Sequence, residues 1–377
     1  MRPDRMLRRG EVDRWLFVAT ITLCLIGAVM VFSASALTAR EQFGNSYHFL
    51  LRQLLWLAFG LVAMFALINV DYRRLREPKL VLPYFFVVLL MLIGVFFLDK
   101  SHATHRWFRA GPISLQPSEL AKLAVILYLA WFLELRSRPH SVGVNDILNT
   151  LMPALGLAVM MAGLVVLEPD LGTSLEIMII AMAMLFVAGL SGKYIAAAIA
   201  AAFPVVYFAI VHVSYRYERV MAFLHPDADP LGHGFQLMQS LIAVGSGGLT
   251  GVGLMESRQK LFYLPEAHTD FIYAVLCEEL GFIGGALVLS LFAVYAWRGL
   301  EACFRARDSF GRFLALGITV MVASQALINL GVVLGMMPTK GIPLPFMSYG
   351  GSSLFVMLAG TGVLLNISQH TGEAVRG

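Results

Sequence analysis

The sequence predicts an all-α polytopic membrane protein with about ten transmembrane helices and one long extracytoplasmic loop, at about residues 213–270. First, 58% of the 377 residues are hydrophobic and only 14% are charged, whereas soluble domains have about 45–50% apolar and about 25% charged residues. Second, apolar runs close to the roughly 20 residues that cross a bilayer recur along the chain. Third, the loop region is the one long stretch without such a run. Most of the chain is therefore expected to lie in lipid.

Ten apolar segments are the candidate transmembrane helices. They span residues 14–36, 49–70, 80–98, 117–135, 151–167, 174–190, 193–212, 271–296, 313–336 and 346–368. Only Ser191-Gly192-Lys193 separates the sixth segment from the seventh. The first apolar run is about 18 residues long, which exceeds the 7–15 residues of a signal-peptide core. It is therefore expected to stay in the protein as an uncleaved helix.

The chain is predicted to hold a single integral membrane domain, residues 14–368, because no fixed-period repeat or low-complexity tract divides it. A basic cytoplasmic arm precedes the domain at residues 1–13, and a short cytoplasmic tail follows it at residues 369–377.

The orientation follows from the basic residues of the short loops, which concentrate on the cytoplasmic side of membrane proteins. With the N-terminus inside, 17 of the 28 Lys and Arg residues fall in inward segments. Both termini are then cytoplasmic, and residues 213–270 face outward. The net charge of +4 is explained by this topology, so nucleic-acid binding is not needed to account for it.

Two further classes of site are disfavoured by motif spacing. The three cysteines, Cys24, Cys277 and Cys303, have neither disulfide nor metal-ligand spacing, so no disulfide framework and no zinc site are expected. The glycine-rich stretch at residues 245–253 lacks the Gly-Lys-Ser/Thr ending of a phosphate-binding loop and a preceding strand. A nucleotide site is therefore not predicted there.

The long loop ends in three residues suited to acid–base chemistry, Glu266, His268 and Asp270. They alternate, so an extended chain would point all three to one side. Asp270 stands directly before an apolar segment, where partial loss of water raises the pKa and the basicity of a carboxylate. Asp270 is therefore a candidate general base. The alternative is that it caps the eighth transmembrane helix.

Charged residues also mark two other outward segments. Glu119 and Lys122 lie three residues apart at the start of the fourth segment, so they share a helix face and can form an ion pair. The pair either lines a watery cavity or only fixes the position of the helix. Asp170 follows Glu168 and a proline at the outer end of the fifth segment. Asp170 or Thr173 is expected to cap the next helix, and the alternative is a direct contact with a substrate.

The last outward connection contains Lys340 among prolines and glycines, followed by a serine-rich stretch at residues 348–353. A lysine held in such a segment can form, with Arg106, Arg216 and Arg219, a basic pocket for a phosphate or diphosphate group. The alternative is that Lys340 anchors a helix end at the membrane interface.

Four motifs carry a resemblance to a known family. They are Gln116-Pro117-Ser118-Glu119, Glu168-Pro169-Asp170-Leu171-Gly172-Thr173, Leu264-Pro265-Glu266-Ala267-His268-Thr269-Asp270-Phe271 and residues 338–353. In this order they resemble the motifs of the SEDS family (shape, elongation, division and sporulation), which includes FtsW and RodA. The resemblance covers roughly residues 13–368. Residues 265–268 and 338–341 are more similar to FtsW-type members, and residues 342–346 are shared with RodA-type members.

The resemblance implies a peptidoglycan glycosyltransferase of the bacterial inner membrane. Such an enzyme polymerises lipid II with release of undecaprenyl diphosphate during cell division, alongside a class B penicillin-binding protein (an FtsI-like transpeptidase) and other divisome proteins. By the family's pattern, Asp270 matches the essential aspartate and Lys340 matches a lysine linked to activity. The residues then assigned to substrate binding are Lys340, Arg106, Arg216, Glu119, Lys122, His268, Glu266, Ser348 and Ser352. No metal ligands are assigned, although a divalent cation such as Mg²⁺ can assist a diphosphate group.

Three alternatives stay open at this point. The first is a transporter that flips lipid II, because charges inside membranes often mark a pathway. It is disfavoured because the polar groups crowd the outer side, whereas a transport site is reached from both faces. The second is an elongation polymerase of the RodA type. The third is a non-catalytic scaffold, which would not need to keep Asp270 and Lys340.

Overall fold

The computed structural model describes residues 10–99, 106–110, 113–137, 143–225, 232, 234–261 and 263–370. The α-helices in this part of the chain are α1 (Arg14–Phe43), α2 (His48–Asn69), α3 (Pro78–Leu98), α4 (Pro117–Arg136), α5 (Met152–Leu167), α6 (Leu171–Val187), α7 (Gly192–Val211), α8 (Ser214–Leu224), α9 (Phe235–Ser246), α10 (Ile272–Arg305), α11 (Ser309–Val333) and α12 (Gly351–Gln369). A 3-10 helix spans Tyr72–Arg76, a π-helical turn at Ile147–Leu151 leads into α5, and β1 (Phe108–Ala110) pairs antiparallel with β2 (Ile113–Leu115).

Each of the ten predicted apolar segments coincides with a helix, and the predicted polytopic helical fold is confirmed. Eight helices of the described chain are long and apolar enough to cross a membrane. The other two predicted spans are α4, which carries four charged residues, and α6, which has 17 residues. The short β-ribbon is the one departure, among these ranges, from an all-α structure.

Several helix starts follow from local side-chain chemistry. Asp13, Asp170 and Asp308 precede α1, α6 and α11, and each accepts a hydrogen bond from the backbone N–H three residues later. Such caps satisfy one of the free donors of a helix N-terminus. Proline occupies the first position of α3 and of α4, where its missing N–H costs nothing.

The helix connections gather on two sides of the bundle. On one side, Arg298 forms an ion pair with Asp13, and the backbone N–H of Gly10 donates to the carbonyl of Gln369 at 2.9 Å. The two ends of the described chain therefore lie on the same side. The predicted basic arm up to residue 9, the acidic stretch at residues 227–230 and the tail from residue 371 lie outside the described residues.

The core of the bundle is formed by α11, α12 and α4, which are buried over most of their length. Helix α12 packs chiefly against α2, and α11 packs against both α10 and α4. By contrast, no residue of α7 is buried, and its contacts are with its chain neighbours α6 and α8. The apolar side chains of α7 therefore face lipid on nearly all sides.

The predicted long loop contains regular secondary structure, namely α8, α9 and a series of turns that leads to α10. Its glycine-rich stretch closes against a break in α10, where Gly281 has a non-helical backbone (φ 67°, ψ −166°). Four backbone hydrogen bonds of 2.9 to 3.1 Å join residues 248–253 to residues 278–283. The broken helix thus recovers backbone partners that it cannot find in lipid.

The contact at the helix break predicts a strict requirement for glycine. Gly251 has a φ of 81°, and a Cβ added there would lie 2.1 Å from the carbonyl oxygen of Glu279. We expect Gly251→Ala to lower the free energy of unfolding by more than about 2 kcal/mol, because it combines a clash with a left-handed backbone. Thermal unfolding in detergent measures this. Gly245→Ala is the control, since an added Cβ meets nothing within 4 Å there. Equal midpoints for the two variants would contradict the expectation.

Candidate active site

Three connections converge at one end of the helix bundle: residues 168–172 before α6, residues 264–271 before α10, and residues 338–343 before α12. A Cβ added to Gly172 would lie 2.8 Å from the Cδ1 atom of Ile342, and one added to Gly341 would lie 3.2 Å from Oδ2 of Asp270. The three segments are therefore in van der Waals contact. The Asp270 carboxyl group lies against the backbone that follows Lys340.

Asn329 of α11 clamps two of these segments together. Its Nδ2 atom donates to the carbonyl of Asp270 at 2.7 Å and to the carbonyl of Ile342 at 2.8 Å. The side chain is buried, so the two bonds are shielded from water and hold the backbone of Asp270 in register with the Lys340 segment. Sequence analysis did not single out Asn329. An amide inside an apolar helix is the signal that was available.

Ser348 makes a second link between the same segments. Its hydroxyl donates to the carbonyl of Thr269 and accepts from the N–H of Leu344 at 2.8 Å. The predicted substrate contact of Ser348 is untested, but its hydroxyl is already engaged in holding the site together. Ser352 is also buried, and its hydroxyl has no hydrogen-bond partner among the described residues.

Asp270 is not a helix cap. Helix α10 begins at Ile272, and the preceding residue, Phe271, has no side chain that can cap it. The carboxyl group of Asp270 is therefore free for other chemistry, and the residue is half-buried. Burial raises its pKa to about 7, and Glu266 adds to the increase, while the positive charge of Arg219 opposes it. The carboxyl group of Asp270 is therefore a stronger base than that of an exposed aspartate.

The expectation that Glu266, His268 and Asp270 point to one side is wrong. The segment forms consecutive turns rather than an extended strand, and Glu266 has a φ of 54°. The Glu266 carboxylate accepts from the Thr269 hydroxyl at 2.9 Å. The His268 ring packs against Phe49, with centroids 4.6 Å apart. The three side chains thus make different contacts, although the charge of Glu266 acts on both Asp270 and His268. Burial lowers the pKa of His268, and the charge of Glu266 opposes that decrease.

The predicted basic residues surround residues 168–170. Arg106 donates from Nε to the carbonyl of Glu168 at 2.8 Å and also bonds the carbonyl of Pro169. On α8, Arg216 donates to the Tyr215 hydroxyl at 3.0 Å, which itself lies 3.4 Å from the Pro169 carbonyl. The structure thus brings α8 and the Arg106 segment to the same outer connection.

Lys340 is half-buried, and its ammonium group lies close enough to Asp170 for the two charges to interact. Burial lowers its pKa, and the negative charge of Asp170 opposes that decrease. Asp170 caps α6, as one of the two alternatives predicted, and its carboxylate also accepts from Gln116 at 3.2 Å and from the Thr173 hydroxyl at 2.8 Å. Asp170 therefore serves as cap and as electrostatic neighbour of Lys340.

The predicted ion pair between Glu119 and Lys122 is confirmed, with Nζ and Oε2 3.0 Å apart. Lys122 is fully buried and also contacts Glu176 at 3.2 Å and Gln325 at 2.6 Å. Gln325 in turn donates to the Pro343 carbonyl at 2.8 Å. The charge cluster is therefore linked through Gln325 to the segment that contains Lys340. Glu176 and Gln325 were not predicted, although both are polar residues inside apolar helices. A direct contact of Glu119 or Lys122 with substrate stays a prediction.

Comparison with known families identifies the architecture around this site. The model of the FtsW/RodA/SpoVE family, described as "Cell cycle protein", matches residues 14–373. The chain belongs to the FtsW/RodA/SpoVE family. The SEDS resemblance seen in the sequence is thereby confirmed.

Individual members of the FtsW/RodA/SpoVE family match over nearly their whole length. Stage V sporulation protein E of Bacillus subtilis is 43% identical, with 97% of this chain and 99% of that protein covered. The probable peptidoglycan glycosyltransferase FtsW of Trichlorobacter lovleyi is 41% identical, with 96% and 94% covered.

Solved structures show the same family fold. One chain of the structure described as "Structural coordination of polymerization and crosslinking by a peptidoglycan synthase complex" superposes with a TM-score of 0.77 at 33% identity, covering 96% of this chain and 98% of that one. The rod shape determining protein RodA of Thermus thermophilus superposes with a TM-score of 0.67 at 29% identity, covering 96% and 98%.

The charged residues of this site differ from a typical metal centre. No three His, Cys, Asp or Glu side chains within the described ranges lie close enough together to hold a metal ion. The outer cluster is instead a mixture of guanidinium, ammonium and carboxyl groups, which suits an anionic ligand.

Proposed function

We propose that this protein is a peptidoglycan glycosyltransferase that polymerises lipid II into β-1,4-linked glycan strands, with Asp270 as general base. The observation that carries the proposal is the state of the Asp270 carboxyl group. It is not used as a cap, it has a pKa of about 7, and it lies against the Lys340–Gly341 backbone. The names of relatives such as the Trichlorobacter lovleyi FtsW support the reaction class.

Asp270 activates the acceptor in this mechanism. Its carboxylate removes the proton from the 4-hydroxyl of the acceptor GlcNAc while the hydroxyl oxygen attacks C1 of the donor sugar. A base with a pKa near the working pH combines ionisation with basicity, and such catalysis contributes about 10²–10⁴-fold in rate. The proton ends on Asp270, and attack on the face opposite the leaving group converts an α-linked donor into a β-linked product.

The basic residues stabilise the leaving group. As the bond from C1 to oxygen breaks, negative charge develops on undecaprenyl diphosphate. Lys340 and the guanidinium groups of Arg106, Arg216 and Arg219 supply positive charge on the same outer connections. Groups already positioned for such charge act without reorganisation in the transition state.

The remaining candidate residues have supporting parts in this proposal. The negative charge of Glu266 repels that of Asp270 and so raises the basicity of Asp270. His268 fixes the segment at residues 264–271 by packing its ring against Phe49. Ser348 fixes the backbone of the site. Ser352 has a free hydroxyl among the described residues and can bind substrate after a small movement.

The proposed setting is the bacterial inner membrane, with both termini cytoplasmic and the site facing the periplasm. The working partner is a class B penicillin-binding protein of the FtsI type, together with other divisome proteins. A chain in a structure described as a peptidoglycan synthase complex supports such a partner. The role in division is supported by identity of about 40% to several proteins named FtsW.

A reconstituted assay tests the reaction class. The purified protein, its penicillin-binding partner and lipid II are combined, and glycan products are separated by length. Polymer formation is expected. A parallel assay in liposomes, with labelled lipid II confined to one leaflet, detects translocation. Translocation without polymer would favour a flippase and overturn the proposal; neither activity would favour a scaffold.

Lys340→Met tests the diphosphate pocket. Removing the ammonium group should raise the KM for lipid II and lower kcat/KM by about 10–100-fold, the usual scale for one charge-assisted contact. Lys340→Arg should recover part of the loss because it keeps the charge. Lys79→Met, an exposed lysine on the opposite side of the bundle, is the control and should match the wild type. An unchanged KM in Lys340→Met would remove this residue from the pocket.

A further inference from the structure

Glu168 is a buried carboxyl group without a hydrogen bond. Its exposed fraction is 0%, and neither Oε1 nor Oε2 has a hydrogen-bond partner among the described residues. An ionised carboxylate in that situation would lose its hydration without compensation, which is strongly unfavourable. A neutral carboxyl group avoids that cost. The geometry therefore favours the protonated form of Glu168.

The charges around Glu168 support the same conclusion. Burial raises its pKa to about 8, the charge of Asp170 adds to the increase, and the charge of Arg106 opposes it. The other charged or titratable neighbours contact residues next to Glu168 rather than its carboxyl group. Asp99 accepts from the backbone N–H of Arg106 at 3.1 Å, and the Tyr215 hydroxyl contacts the Pro169 carbonyl. The charge of Lys340 interacts with that of Asp170.

Arg106 is bound to the main chain of this residue rather than to its carboxylate. Its Nε donates to the Glu168 carbonyl at 2.8 Å, and a second N–H group bonds the next carbonyl, that of Pro169. A guanidinium group has five N–H donors, so donors remain for another ligand. The positive charge of Arg106 is not cancelled by these neutral carbonyls, and it acts on both Glu168 and Asp270.

We propose that Glu168 is a proton-holding positioning residue whose neutral form leaves the charge of Arg106 available for the diphosphate of the substrate. Loss of the proton places a negative charge beside Arg106 and weakens the hold of the pocket on an anion. The inference rests on the proposed function for its ligand. It adds an alkaline limit to substrate binding that is separate from the acid limit set by Asp270.

The test compares the KM for lipid II at pH 7 and pH 9.5 in the reconstituted complex. For the wild type, KM should rise at least about fivefold over this range, the effect of one nearby charge. In Glu168→Gln, which cannot ionise, KM should rise clearly less than in the wild type, whatever the absolute activity, because Lys340, whose pKa burial also lowers, is then the remaining source of an alkaline rise. Glu256→Gln removes an exposed outer carboxylate and should keep the wild-type ratio. The same alkaline rise in Glu168→Gln would overturn the proposal.

A second variant covers the case in which Glu168→Gln does not fold. Arg106→Gln should also show a smaller alkaline rise in KM than the wild type, because the proton of Glu168 acts through Arg106. A rise as large as that of the wild type in folded Arg106→Gln would likewise overturn the proposal.

Binding of inorganic pyrophosphate, measured by calorimetry at both pH values, separates this inference from the proposed function. The wild type should lose affinity at pH 9.5 relative to Glu168→Gln, and this comparison between variants cancels the titration of the ligand itself. A wild type that makes no polymer but shows this difference would contradict the proposed reaction only. If the protein forms polymer, but the wild type and Glu168→Gln bind pyrophosphate with equal affinity at pH 9.5, only the role of Glu168 would be contradicted.

Discussion

Asp270→Asn is expected to reduce the rate of lipid II polymerisation by about 10²–10⁴-fold, the contribution of a general base. The substitution keeps the shape of the side chain and removes its capacity to accept a proton. The backbone of residue 270 stays clamped by Asn329, so substrate binding should change little and the loss should appear in kcat. Product formation over time by the purified complex measures this. Polymerisation at the wild-type rate would exclude Asp270 as the base.

The pH dependence provides a second measurement on Asp270. The base works when ionised, so the wild-type kcat should rise with pH through an apparent pKa near 7, the pKa of this carboxyl. Below that value activity should fall about tenfold per pH unit. The residual activity of Asp270→Asn should lack this limb. Glu256→Gln is the matched control and should retain it.

Thermal unfolding of Asp270→Asn shows whether its loss of activity comes from the missing base or from a destabilised fold. The pKa of Asp270 is raised in the folded state, so the folded protein disfavours the ionised form, and stability falls as pH rises from the ordinary value of 3.8 through about 7. Asp270→Asn removes that penalty. Its midpoint of thermal unfolding at pH 8 should therefore equal or exceed that of the wild type. A lower midpoint would assign part of the activity loss to misfolding.

Lys122→Met is expected to cause the largest loss of stability, about 3–5 kcal/mol in the free energy of unfolding. The ammonium group is fully buried between Glu119 and Glu176, and its removal leaves two carboxylates close together without a counter-charge. Thermal unfolding and size-exclusion chromatography in detergent measure the effect. Lys193→Met, which changes an exposed lysine, is the control. A midpoint equal to that of the control would show that the cluster is not held by Lys122.

A compensated variant then separates structure from substrate binding. Combining Lys122→Met with Glu119→Gln and Glu176→Gln removes all three charges, and replacing a complete buried charge cluster is far less costly than breaking it. Stability should therefore return in large part. If this triple variant is stable and polymerises lipid II, Lys122 contributes to activity only by stabilising the fold. If the triple variant is stable but inactive, the predicted contact of Lys122 with substrate gains support.

The sequence by itself determined the polytopic helical membrane fold, and the side of the membrane on which each connection lies stays a prediction. Burial of about 20 apolar residues in lipid depends on the composition of each segment and not on its partners, so the ten predicted segments coincide with helices. Local spacing was equally sufficient for the pair of Glu119 with Lys122, and it gave the cap at Asp170 as one of two alternatives. Asp270 and Lys340 were identified as candidates because polar groups stood out in the outward connections and matched a family pattern.

Tertiary structure alone decided how these groups act together. Asn329 donates a hydrogen bond to the Asp270 carbonyl although the two residues are 59 positions apart in the sequence. No local sequence pattern indicates such a contact. The directions of Glu266 and His268 depend on consecutive turns that an assumed extended chain could not predict. The neutral state of Glu168 depends on complete burial beside Arg106. Protonation and orientation arise from desolvation and from distant charges, which exist only once the helices have packed.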